Sequence, residues 1–259
     1  MSFSRIKTFF IVPARDASFV TKKCKELDEL GVDYIIICGE KVNYPHVVYR
    51  EPKGKYDAIN FGFGLVPNGV DIVVLNDVDT EIGNIEEAFA AINHQKTSLV
   101  FARVNVERGP QYFFYRLLDS LRRIVPIAAS GELMLVRFEA LQSIFPLKKC
   151  KAEDSYILFK VLELGGKVKF CEDCYVTTSR TENTKQERIY KRRTVAGIYQ
   201  ALSKTKPPIK IRLFYHLLPF FSVILLVLGK KGYSWLTGIL EGYMDYLTGD
   251  KTGHWQNLY

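Results

Sequence analysis

The 259-residue chain is short of the residues that mark several common classes of protein. It has five cysteines, an odd number that argues against the paired framework of a secreted disulfide scaffold. Its four histidines show no ligand spacing, so the Cys171-Glu172-Asp173-Cys174 segment has no second half to complete a zinc site. A redox role for that pair would need a helix N-terminus to lower a thiol pKa; two cysteines in a strand edge fit the segment better. No Ser-His-Asp order, phosphate-cradling P-loop or G-x-G-x-x-G is present. The apolar stretch in MSFSRIKTFFIVPARD is brief and runs into proline and charge. No signal peptide is expected, and the protein is expected to be intracellular.

What is present is a globular composition, 47% hydrophobic and 25% charged, which excludes a disordered tail or a collagen-like fibre. A chain of this length buries roughly 70–75% of its unfolded surface, so its core needs no disulfide or metal. One large α/β domain or two smaller ones fit the length.

The net charge of +8 is unevenly placed. Arg180 to Lys231 holds twelve Lys or Arg and two acids, a balance of +10, so the remainder sums to −2. A basic block beside an apolar run points to an anionic membrane surface rather than to nucleic acid. That run is Leu213 to Gly229, seventeen residues without a formal charge between Arg212 and Lys230. As a helix it would span about 26 Å, near the lower limit for a hydrocarbon core of roughly 30 Å. Pro219 would kink it. A second stretch, Tyr233 to Leu247, keeps Trp235, Leu236, Ile239, Leu240, Tyr243 and Leu247 at helical spacing with Glu241 and Asp245 on its other side, an amphipathic interface helix. Two buried helices closing the domain are the competing reading. The chain thus divides into a catalytic-type α/β region, 1–205, and a helical membrane-attachment region, 206–259.

The first two hundred residues alternate. Lys7–Pro13, Tyr34–Cys38, Val47–Tyr49 and Asp71–Leu75 read as strands, and Ser18–Leu30 and Lys55–Leu65 as helices. This rhythm predicts a mostly parallel sheet flanked by helices, with ligands at the carboxyl ends of the strands. The residues there are Asp16 after the first strand, Glu40 after the second, and Asp77-Val78-Asp79 after Asp71–Leu75. Two carboxylates one residue apart repel unless a cation joins them. Hard oxygen ligands suit Mg²⁺ or Mn²⁺ with a diphosphate, while a plain polar turn is the alternative. Gly54-Lys55 opens a helix with a cation suited to a phosphate ligand. Glu153-Asp154 heads another helix, which stops at Gly165-Gly166.

In this order the motifs resemble the family 2 glycosyltransferases, inverting enzymes of the GT-A (Rossmann-like) fold, from Ile11 to about Gly197. The resemblance rests on IVPARD, the acid after the second strand, GKxxAxNxG at Gly54 to Gly62, the DVD, and the Glu153-Asp154 pair. It implies that Asp16 and Glu40 line the nucleoside pocket and that Lys55 approaches the base or diphosphate. It further implies that Asp77 and Asp79 hold the metal and diphosphate, and that Asp154 is the general base with Glu153 beside it. The implied cofactor is Mn²⁺ or Mg²⁺, and the implied donor a GDP-mannose or UDP-glucose type of nucleotide sugar. The basic block and apolar tail point to a polyprenyl phosphate or lipid-linked glycan as the acceptor, at the cytoplasmic face of the cell membrane. No nucleic acid is expected as a partner, and a homo-oligomer is left open.

The sequence departs from that family where many members carry Q-x-x-R-W, since here Tyr190-Lys191-Arg192-Arg193-Thr194 retains only Arg193. Arg193 is either a diphosphate or lipid-phosphate ligand or part of a basic helix face. A second departure is Cys38-Gly39-Glu40, where aspartates are usual. The ending of the chain, Glu241 to Leu247 and Gly253-His254-Trp255, also looks like that of membrane-attached members. Tyr112–Tyr115 with Leu117, Leu118 and Leu121 reads as a buried or interface helix, or as the lining of a lipid route. Competing functions are a sugar-nucleotidyl transferase and a non-catalytic basic membrane or nucleic-acid binding module. The first wants a glycine-rich loop after the first strand, which Pro13–Ala17 lacks.

Overall fold

The computed structural model describes residues 6–106, 112–179 and 181–249. The Gly253-His254-Trp255 ending and Arg180 lie outside the described residues. The chain runs β1 (Thr8–Ala14), α1 (Val20–Leu30), β2 (Asp33–Cys38), β3 (Val47–Tyr49), α2 (Lys55–Phe63), β4 (Ile72–Asn76), β5 (Glu81–Gly83), α3 (Ile85–Asn93) and β6 (Leu99–Val106). It continues through α4 (Tyr112–Ile124), β7 (Leu133–Arg137), α5 (Phe138–Gln142), α6 (Glu153–Glu163), β8 (Val168–Thr178), α7 (Thr184–Ser203), α8 (Ile209–Phe221) and α9 (Gly229–Thr248).

Among the described residues the strands form one eight-stranded sheet, in the order β3-β2-β1-β4-β7-β6-β8-β5. The β3-β2-β1-β4 half is parallel throughout, as the alternating pattern requires. β7 pairs antiparallel with both β4 and β6, so the whole sheet is mixed, with four of seven neighbouring pairs parallel. β1 shows why the sheet is buried on both faces: Phe9 and Ile11 enter one core, Phe10 and Val12 the other. Successive strand side chains point to opposite faces, so an unbroken apolar run needs cover on each side. On the Phe10 side the helical contributors include Val20, Cys24 and Leu27 of α1 and Ala88 and Ile92 of α3. On the Phe9 side they come from α2, α5, α6, α7, α8 and α9.

The C-terminal helices therefore join the main core. Ile211, Tyr215 and Ile239 share it with Tyr156 and Phe159 of α6. The apolar run forms the second part of α8 and a 3₁₀ helix, Ser222–Leu228. Gly229, at φ 61°, then turns the chain back so that Gly232 lies against the Leu225 carbonyl. By length and composition, the continuous helical path Ile209–Thr248 contains one stretch apolar and long enough to cross a membrane, with 17% of it buried. Glu241 and Asp245 do not face solvent opposite an apolar stripe. They turn toward α7, where Arg188 forks onto Glu241 and Arg192 holds Asp245 with two bonds of 2.7 Å. Gly238 and Gly242 let the two helix backbones meet: a Cβ on Gly238 would lie 2.8 Å from the Arg188 carbonyl oxygen. Leu240, Met244 and Leu247 point outward instead. The small residues and acids of α9 thus serve helix pairing.

All five cysteines are free and buried. Burial pushes the Cys171 thiol up and the Cys174 thiol up to about 12, so this C-x-x-C in β8 is inert packing.

Candidate active site

The strand ends carry the polar residues. Lys55, first in α2, donates to Asp77 just beyond β4 at 2.6 Å and to Glu153 at the start of α6 at 2.8 Å. Gly54 makes this geometry accessible, because φ 109° there suits only glycine and turns the chain into α2. Burial opposes the ammonium charge, but Asp77 and Glu153 beside it raise the pKa above the usual lysine value. The other motif residues of this helix are structural. Asn60 bonds both the carbonyl and the amide of Leu147, at 3.0 and 2.8 Å. Gly62 lets α2 settle on β1, where a Cβ would come within 2.6 Å of Ile11.

Asp154 follows Glu153 in the first turn of α6. Its Oδ1 accepts from the Ser155 amide at 2.6 Å. Burial, then the neighbouring Glu153 charge, pushes its carboxyl up to about 6, while Lys55 pulls the other way. Gly131 forms the wall against it, since a Cβ there would stand 3.0 Å from the Asp154 Cβ. Pro13, Lys55, Gly131, Glu153 and Asp154 line one small recess at the carboxyl ends of the central strands β1 and β4.

The turn after β4 is built from beneath. Asn76 donates to the Glu132 carbonyl at 2.7 Å and to the Thr80 hydroxyl at 3.0 Å. The Thr80 hydroxyl donates to the Asp77 carbonyl at 2.9 Å. Lys23 of α1, only 1% exposed, donates to Asn76 at 2.9 Å, to the Thr80 carbonyl, and to Glu26 at 2.7 Å. Burial lowers its pKa against the pull of Glu26, Asp77 and Asp79. Asp77 thus faces Lys55, while Asp79 lines a cavity of about 210 Å³ with Lys22, Glu81, Thr178 and Ser179.

Asp16 and Glu40 end the neighbouring strands β1 and β2 and knit their loops together. The Ala17 amide donates to Glu40 at 3.1 Å, and the Ser18 amide to Asp16 at 3.0 Å. Hydrogen bonds from Ser18 hold the Asp16 carboxyl below the usual range. Arg193 lies on α7, its guanidinium 6.0 Å from the Tyr190 ring. One turn later Gly197 packs on the chain entering α6, where a Cβ would be 2.8 Å from the Ala152 amide nitrogen. Lys55, Asp77 and Glu153 are therefore one contact cluster with Asp154 beside it, and Asp16 and Glu40 form a neighbouring pair. Arg193 stands on the helix that backs α6.

The sequence pattern marked Asn76, Thr80 and Gly131 without giving them a role, and missed Lys23. Lys23 had a legible signal: it interrupts the apolar face that Val20, Cys24 and Leu27 set on α1. No local signal gave Gly131 its role, because only the fold brings Asp154 against it.

The donor set fits a hydrated hard cation. Among the described residues no three His, Cys, Asp or Glu side chains converge as a ready-made cage. Mg²⁺-type ions are commonly held by one or two carboxylates together with substrate phosphates and water; Asp77 and Asp79 are the oxygen donors present, Asp77 paired with Lys55 and Asp79 lining the neighbouring cavity.

A parallel half-sheet with carboxylates at successive strand ends, continued by antiparallel β7, is the GT-A type of α/β fold, and solved structures show the same architecture. The mannosyltransferase PcManGT from Pyrobaculum calidifontis, in complex with GDP-Man and Mn²⁺, matches with TM-score 0.75 and 15% identity over 96% of this chain and 89% of that one. TarS from S. aureus (residues 1–349) matches with TM-score 0.54 and 13% identity, covering 95% and 93% of the two chains. GalNAc-T7 with UDP, GalNAc and Mn²⁺ matches with TM-score 0.55 and 12% identity over 96% of this chain and 59% of that one. No family among those scanned matches this sequence, and no curated protein matches it. At these identities the likeness is one of fold.

Proposed function

We propose that this protein is a metal-dependent inverting glycosyltransferase. In this reading it moves a hexose from a nucleotide-diphosphate sugar, of the GDP-mannose or UDP-glucose type, to a lipid-linked acceptor at the cytoplasmic face of the cell membrane. The observation that carries it is the buried carboxyl Asp154, its pKa raised, in one recess with a Lys55 cation held between Asp77 and Glu153. The neighbours solved with GDP-Man and with UDP, both holding Mn²⁺, support the donor class and the metal. GDP-mannose and UDP-glucose are therefore the donors to try first.

Asp154 takes the proton from an acceptor hydroxyl. That oxygen bonds to the anomeric carbon on the face opposite the diphosphate, the carbon–diphosphate bond breaks, and its electron pair leaves with the nucleoside diphosphate. A single displacement with one base and no covalent intermediate is what inversion of configuration requires. Asp77 and Asp79 would hold Mn²⁺ or Mg²⁺, which supplies charge neutralisation on the leaving diphosphate. Lys55 adds a second positive charge there, and Asp16 and Glu40 line the nucleoside side. Two acceptor chemistries fit, and Asp154 separates them: a hydroxyl needs the base, whereas a phosphate arrives already anionic.

The membrane assignment draws on the outward Phe220, Phe221, Ile224 and Val227, which are 61–82% exposed beside Lys230 and Lys231. The test is donor turnover by detergent-purified protein with Mn²⁺ and a polyprenyl phosphate. Expected is release of GDP or UDP from one donor, abolished by chelation and by Asp79→Ala. If neither nucleotide is released and calorimetry detects no GDP or UDP binding, the transferase reading fails.

A further inference from the structure

α4 is built inside out. Its charged pair, Asp119 and Arg122, is 6% and 5% exposed and bonded at 3.0 Å, with the Arg122 Nε also donating to the Ala128 carbonyl at 2.9 Å. Phe114 and Tyr115 are buried beside that pair, but four other apolar residues face outward: Phe113 is 52% exposed, Leu117 46%, Leu121 41% and Ile124 80%. A helix in water does the reverse, because burying ions costs solvation and exposing leucines gains nothing. The outer face of α4 is therefore matched to an apolar medium. Its outward charges, Arg116 and Arg123, are both positive; Arg123 forks onto Glu172, and Arg116 lies 5.6 Å over the Tyr112 ring. Apolar side chains bordered by a tyrosine and by arginines are what a helix needs to sit in the boundary of an anionic bilayer.

The opposite, buried side of α4 and the segment after it pack on the C-terminal helices. Phe114 stacks on Trp235 of α9 with ring centres 4.1 Å apart, and the Tyr215 hydroxyl of α8 donates to the Ile127 carbonyl at 2.6 Å. The segment after α4 leads within a few residues to Gly131, the wall of the Asp154 recess.

We propose that α4 is a second membrane-docking surface, seated in an anionic bilayer together with the helical tail. The two contacts, about one hundred residues apart in sequence, hold the Gly131 side of the recess next to the lipid surface. A lipid-borne acceptor then reaches Asp154 without leaving the membrane. The inference rests on the membrane part of the proposed function and does not depend on the identity of the donor.

All native cysteines are buried, so a single introduced cysteine can be labelled selectively. Leu117→Cys on α4 and, as a control, Glu29→Cys on the exposed side of α1 carry an environment-sensitive fluorophore in the full chain. The vesicles are phosphatidylglycerol and phosphatidylcholine with a nitroxide-bearing lipid. The expected result is quenching of the α4 probe by the nitroxide lipid and protection from aqueous iodide, with the opposite at the control. Phe113→Glu with Leu117→Glu should lower vesicle partitioning at least tenfold while GDP or UDP binding with Mn²⁺ is unchanged. Iodide access to the α4 probe on vesicle-bound protein overturns the proposal, as does unaltered partitioning of the double variant. A probe shielded in solution together with a doubled mass also overturns it, by making this face a contact between copies. Absence of nucleotide binding by the wild type would count against the transferase reading and leave the vesicle result standing.

Discussion

Two regions of this molecule solve opposite solvation problems. At the carboxyl ends of β1, β2 and β4, charge is drawn inward: Lys55 is held between Asp77 and Glu153, and Lys23 is sealed beneath the Asn76–Thr80 turn. Along α4, α8 and the 3₁₀ helix, apolar side chains are pushed outward, with Ile124 80% and Val227 82% exposed. Each arrangement is unfavourable in water and makes sense only with a partner. Buried carboxylates and lysine await a charged ligand, because ionisable groups with shifted pKa gather where chemistry is done. Exposed aliphatic side chains at this density are the kind of surface that marks interaction with an apolar neighbour.

Substitutions in the charged region should give the largest effects. Asp154→Asn removes the base and should lower turnover onto a hydroxyl acceptor by about 10²–10⁴-fold, measured as nucleoside diphosphate release. The same variant should melt higher than wild type at pH 7–8. The sign follows from the raised folded pKa: the native state binds this proton more tightly than the unfolded chain. Folding stability from this group is therefore greatest in acid and falls as pH rises from the unfolded value near 4 toward about 6. Asn cannot ionise and escapes that loss. Wild-type turnover should correspondingly fall as pH drops below about 6. An unchanged rate in the Asn variant would mean an acceptor that brings its own negative charge.

Lys55→Met comes next. It leaves Asp77 and Glu153 facing a common space with no cation, and breaking a buried pair of this kind costs about 3–5 kcal/mol. The partial exposure of Lys55, 18% of its side chain, places the effect toward the lower figure. Denaturant titration measures it.

The smallest effects belong to the helical region, and they sharpen the contrast. Arg188→Ala removes an exposed fork onto Glu241 and should cost under about 1 kcal/mol. Gly242→Ala drives a Cβ into the Arg192 carbonyl, with Val195 Cβ at 2.9 Å, and should cost about 1–3 kcal/mol as α7 and α9 separate. If the order were reversed, the ion pairs rather than the backbone contact would join these helices. Thermal melts in detergent decide it.

Much of the N-terminal half was legible because period and punctuation agree there. Tyr34–Cys38 and Asp71–Leu75 are apolar runs of strand length, and β2 and β4 follow within a residue. α2 begins at Lys55, where Gly54 and the motif indicate. β5, β6 and β7 were not legible. β5 has only three residues, and β7 runs directly into α5 without a turn signal. The antiparallel placement of β7 between β4 and β6 is a tertiary fact that leaves no local mark. The acids of α9 misled for the same reason: an i,i+4 pair looks solvated until arginines on another helix are known to meet it.

The order of acids along the chain, the basic block and the uncharged run were determined by the sequence itself, because each is a local property of residue type and spacing. Only the tertiary structure decided that Lys55 joins Asp77 to Glu153, residues 22 and 98 positions away. It also decided that Gly131 walls Asp154 and that α4 turns its leucines outward. These depend on which strand ends become neighbours and which helix faces find cover, and no spacing along one segment carries that information.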